Sequence, residues 1–150
     1  MAEADAVFRR GEYEYSYIYR GAHESLAAST GSYGVWMAEL ASNIRASMSG
    51  SSSIIYRHNV AHDGSVSRLL SVLQIEKMVW PGMGSEVVFE LYSKGACYFI
   101  RVLWEGHVLK SANPSLGSMD MLPVATLLNY IDGLVGKMAS KVPGLCSGST

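Results

Sequence analysis

The run Tyr56-Arg57-His58-Asn59-Val60-Ala61-His62-Asp63-Gly64-Ser65 places two histidines, an arginine and an aspartate within ten residues. Ile54-Ile55-Tyr56 opens a β-branched and aromatic stretch that predicts a strand to about Val60, and Val66, Leu69, Leu70 and Leu73 follow at helical spacing. His62 and Asp63 therefore fall between the carboxyl end of a strand and the amino end of a helix. Open α/β sheets bind ligands at that edge, and the free backbone N–H groups of a helix start favour an anion such as phosphate. His62 supplies a charge-assisted contact to a phosphoryl oxygen, and the Asp63 carboxyl can protonate a departing alkoxide. The plainer use of the same residues is structural, with Asp63 or Ser65 capping the helix and His62 an ordinary loop residue.

Metal chemistry is a weaker rival. His58 and His62 stand four apart, which presents both to one side only of a helix, whereas this segment reads as a strand ending between them, with no third ligand nearby. Gly82 and Gly84 lack the downstream glycine and Lys-Ser/Thr of a nucleotide loop, and no Gly-x-Ser-x-Gly elbow is present. No cofactor is indicated. His23 and His107 stand alone as surface or turn residues, while Trp36 and Trp80 suit core packing.

The elements that must position His62 and Asp63 are legible on either side. Tyr33 to Met48 carries Val35, Trp36, Leu40, Ile44 and Met48 at three- and four-residue steps, which predicts an amphipathic helix stopped by Gly50-Ser51-Ser52-Ser53. Phe8 to Arg20 alternates tyrosine with polar residues, yet Phe8, Tyr15 and Tyr19 also fit a helical stripe, so strand and helix both stand. After the Pro81-Gly82-Met83-Gly84 loop, two alternating runs joined at Ser93-Lys94-Gly95-Ala96 predict a short antiparallel hairpin. Glu105-Gly106 then suits a turn into a strand from His107 to Lys110. Pro123 opens a last helix striped by Val124, Leu127, Leu128, Ile131 and Leu134 and ended by Gly136. Alternating helices and strands indicate a layered α/β fold.

Composition narrows the partners. The chain has 150 residues, 49% of them apolar, with 12 basic against 13 acidic, for a net charge of −1. Mean hydropathy is +0.14 and the pI about 6.4. That is one ordinary domain with apolar material for a core, which excludes an entirely disordered chain and argues against broad nucleic-acid or anionic-membrane binding. No apolar stretch approaches a membrane span, and the acidic start Met1-Ala2-Glu3-Ala4-Asp5 does not read as a signal peptide. The compartment stays open between cytosolic and secretory. Cys97 and Cys146 have no metal-ligand spacing and pair only if the fold brings them together.

The strand from Ile54, the His62-Asp63 dipeptide, the helix after it, Trp80-Pro81 and Glu90-Leu91 resemble the carboxyl-terminal part of the histidine acid phosphatases, of the phosphoglycerate-mutase-like superfamily. Tyr98-Phe99 to Val102 and Asp120-Met121-Leu122 agree, so the resemblance covers roughly residues 33 to 146. It implies phosphate monoester hydrolysis through a phosphohistidine without a metal, acting on a small phosphorylated substrate. Asp63 would be the proton donor and His62 the phosphoryl contact. The family's nucleophile motif, Arg-His-Gly-x-Arg-x-Pro, does not occur; Arg57-His58-Asn59 lacks its glycine and second arginine, and His58 is too near His62 to face it across a phosphoryl group.

On this resemblance residues 1–32 form a variable amino-terminal segment, 33–140 a partial phosphatase domain and 141–150 a flexible tail. Members are typically more than twice as long, so the chain corresponds to the last part of such a fold, either a piece of an active phosphatase or a shortened relative without catalysis. In both cases it should be inactive alone, with an exposed apolar edge where half a sheet is missing. The alternative is a non-catalytic module that binds a phosphate ligand or another protein.

Overall fold

The computed structural model describes residues 2–147. Helix α1 (Ala2–Ser16) runs through a π-helical turn, Tyr17–Gly21, and is followed by the long α2 (Ser25–Met48). The amino-terminal tyrosines are thus helical. An irregular stretch leads to α3 (Asp63–Val72), then to an antiparallel hairpin of β1 (Val87–Lys94) and β2 (Cys97–Trp104). Two-residue strands β3 (His107–Val108) and β4 (Leu122–Pro123) both pair with β2, and α4 (Val124–Val135) and α5 (Val142–Ser147) complete the chain. The architecture is mixed α/β, helices around a small antiparallel sheet. No helix among the described residues is long and apolar enough to cross a membrane.

The core forms where α2, α3 and α4 meet one face of β2. Met37 of α2, Leu70 of α3 and Leu73 at its C-cap, Ile131 of α4 and Ile100 and Val102 of β2 are at most 1% exposed. Alternation along β2 explains the strand's share, since Ile100 and Val102 point inward while Arg101 between them points out. The hairpin turn is Gly95-Ala96, with Gly95 at φ +60°. Its two central residues match the shortest hairpin connection.

Four expectations need correction. The strand at Ile54–Val60 does not form: residues 53–62 have no regular structure, and Ile55, Tyr56 and Val60 are 101%, 77% and 88% exposed. A strand is held by its neighbour's backbone groups, and no strand of the described chain lies alongside this one. The helix expected from Tyr33 begins at Ser25, across the 32/33 boundary, because its first turns bury Ser25, Ser29, Thr30 and Gly34, which leave no apolar stripe to read. The strand from His107 to Lys110 stops at Val108; Lys110 instead makes an isolated bridge to Ser118.

The tail from Lys141 is not unstructured as far as Ser147, because α5 packs on α2 there. A side chain at Gly34 would bring its Cβ to 2.7 Å from Val142 and 3.1 Å from Val135, so glycine is what lets α5 approach. Cys146 Sγ donates to the Gly31 carbonyl at 3.4 Å. Pro143 is no obstacle so near a helix start. Residues 148–150 lie outside the described residues.

Tyr130 ties α4 to α3 by donating to the Val72 carbonyl at 2.5 Å, and burial pushes its phenol up to about 12. A folded-state pKa above the unfolded value of about 10 favours the neutral phenol in the fold. That contribution is fully present below pH 10 and is lost as pH rises through about 12. Stability against urea should therefore fall over this alkaline window, and Tyr130→Phe should flatten that part of the profile. An identical pH profile in the variant would contradict the assignment.

Candidate functional site

His62 holds extended backbone, φ −88° and ψ 164°, and is the N-cap of α3. Its carbonyl accepts from the Ser65 amide at 2.9 Å and the Val66 amide at 3.2 Å, which starts the helix. Neither Asp63 nor Ser65 is the cap, and no side chain caps this helix. Asp63 is the first helical residue, where a carboxylate complements the dipole. Its Oδ1 accepts from the Gly64 amide at 2.7 Å, so one first-turn amide is occupied by the aspartate itself.

Arg68 completes the charge pattern. Its Nη1 donates to the Gly64 carbonyl at 3.0 Å, which folds the guanidinium back over the first turn. Ser67 Oγ donates to the Asp63 carbonyl at 2.6 Å and fixes the same turn from the buried side. His62 and Asp63 are exposed, Gly64 and Arg68 half-buried. An anion over this turn meets the positive end of the helix, the Arg68 guanidinium and the His62 ring, beside the exposed Asp63 carboxyl group.

Behind the turn lies Tyr15, only 6% exposed, with its ring centroid 4.5 Å from that of Trp80 and 4.6 Å from that of Tyr19. Its hydroxyl is buried with no hydrogen-bond partner. Burial pushes the phenol well above its usual range, the Tyr19 and Asp63 charges add to this, and Arg68 opposes it. Tyr15 is therefore a neutral phenol packed against Trp80 and Tyr19. Trp80 is 56% exposed rather than a core residue and shields one side of Tyr15.

The sequence singled out His62 and Asp63 as candidates and gave no such role to Arg68 or Tyr15. Arg68 had a local signal, since it stands four residues beyond Gly64 and so overlies the first turn. Tyr15 had none, because only tertiary packing brings α1 to α3. His58 stands on the irregular stretch beside Tyr56, with ring centroids 6.2 Å apart. Among the described residues no three His, Cys, Asp or Glu side chains group as a metal would require. Cys97 and Cys146 are free and exposed.

The site is open. Two surface recesses, of about 430 Å³ beside Arg9, Arg10 and Tyr13 and about 310 Å³ beside Trp104, His107 and Lys110, include neither His62 nor Asp63. Binding sites that hold small ligands tightly enclose most of the ligand surface. No such enclosure surrounds His62 and Asp63, both of which are exposed. No protein-family model, no curated protein and no solved structure matches this chain.

Proposed function

We propose that His62 and Asp63 form the acid half of a phosphomonoesterase site of the histidine acid phosphatase type, carried on the carboxyl-terminal part of a phosphoglycerate-mutase-like fold. The observation that carries this reading is the placement of His62, Asp63 and a folded-back Arg68 around the first turn of α3. In the complete reaction a histidine nitrogen displaces the alcohol from phosphorus, the P–O ester bond breaks, and the leaving oxygen takes its proton from Asp63. Water then gives a proton to the Asp63 carboxylate and attacks the phosphohistidine, so that the P–N bond breaks and inorganic phosphate leaves. His62 and Arg68 hold the non-bridging oxygens throughout.

The nucleophile motif is absent from this sequence, so on this reading the chain by itself supplies a phosphate contact without the group that would accept the phosphoryl. The open, one-sided site favours the same division, a non-catalytic phosphate contact until a nucleophile-bearing wall faces it. Calorimetry with tungstate, a phosphate mimic, should give a dissociation constant on the order of 1 mM, where binding free energy is only about −4 kcal/mol. His62→Ala should remove detectable binding while leaving the helical spectrum unchanged. Tungstate affinity indifferent to His62 would overturn the assignment.

A further inference from the structure

Residues 53–61 take part in no backbone-to-backbone hydrogen bond among the described residues. They nevertheless include seven consecutive residues of strand composition, Ile54 to Val60, with apolar side chains facing water. The same chain has a second unfinished element. In the sheet order β1-β2-β3, strand β1 is paired on one side only and presents eight residues of open edge. A long open edge is a template for another strand.

The exposed area gives the scale of what is missing. The chain exposes 9484 Å², whereas a compact protein of 16.3 kDa exposes about 7,500 Å². The excess of roughly 2,000 Å² is shared between the exposed helix α1 and the free run Ile54–Val60, so the run supplies part of the area that a stable dimer buries. Both halves of the contact are present on one chain and match in length. Their charges are complementary as well, since Arg57 and His58 stand on the free run while Glu86 and Glu90 stand on or beside β1.

We infer that Ile54–Val60 of one copy pairs with the open edge of β1 of a second copy, reciprocally, in a two-fold dimer. The antiparallel register that sets Arg57 opposite Glu90 also sets Ile55 opposite Tyr92, Tyr56 opposite Leu91 and Val60 opposite Val87. Tyr56 and Val60 then extend the face on which Val87, Phe89 and Leu91 pack against the core. Two-fold exchange uses each run and each edge once and closes without a free end, so the assembly stops at two.

Sedimentation velocity on the full chain tests this. Wild type should be mainly dimeric at concentrations on the order of 10 µM. Each dimer contains the Arg57–Glu90 pairing twice, so Arg57→Glu alone and Glu90→Lys alone should each weaken association about tenfold. Glu90→Lys also removes the acceptor for Tyr92 and the Arg101 ion pair within its own chain. The doubly exchanged protein keeps that local loss yet should regain dimerisation, which separates pairing from local damage. Hydrogen exchange at the Ile55–Asn59 amides should slow as concentration rises. A monomer across this range overturns the inference, as does a dimer indifferent to both charge reversals, which would place the contact elsewhere, for example on the exposed Val7 and Phe8 of α1.

Discussion

On the proposed reading of Asp63 as proton donor, Asp63→Asn in a phosphate-ester-hydrolysing protein that carries this segment should cut the turnover of alkyl phosphates by about 10²- to 10⁴-fold, the usual contribution of a positioned general acid. Aryl phosphates with stable phenolate leaving groups should lose far less, because their oxygen departs without a proton. The expectation rests on position. Asp63 is exposed at the first turn of α3, and its Oδ1 is held by the Gly64 amide at 2.7 Å. Asparagine keeps that size and hydrogen bond and removes the carboxyl group's transferable proton together with its charge. Equal losses on alkyl and aryl substrates would mean that Asp63 orients the phosphoryl group or the helix and protonates nothing.

The second large effect concerns the scaffold beneath that turn. Leu70 is 0% exposed and lies on α3 among core residues from α2, α4 and β2. Leu70→Ala should lower unfolding free energy by about 2–5 kcal/mol, from lost burial plus the cavity left in a packed interior. For a chain of this size each kcal/mol corresponds to roughly 2–4 °C in Tm. Urea titration at neutral pH, with the slope unchanged, measures it. A loss below about 1 kcal/mol would indicate that α3 is not anchored through this residue and that the turn carrying His62 and Asp63 is free to move.

How much of this was legible in the sequence follows the range of the forces involved. The hairpin, α3 and α4 could be read because their apolar period and turn residues are local; Gly136, at φ +73°, ends α4 as its position suggested. The stretch Ile54–Val60 misled because β composition states a preference that only a neighbouring strand can satisfy. The start of α2 was hidden by buried Ser25, Ser29 and Thr30, and α5 by a Pro-Gly pair that ordinarily marks a turn. At the site, the His62-Asp63 dipeptide and its helix were readable as neighbours in sequence. Tyr15 was not, since its burial against Trp80 spans more than sixty residues of chain. The phosphatase reading itself came from resemblance, in which Arg68, folded over the first turn of α3, had no part.

The most direct measurement is amide-resolved NMR of the full chain during titration with orthophosphate at pH 6. The account predicts that the Asp63 and Gly64 amides, the His62 ring and the Arg68 guanidinium shift together and saturate with a single dissociation constant. Shifts confined to Lys77, His107 and Lys110, or no saturable shift at α3, would contradict it and leave the first turn of α3 a structural element only.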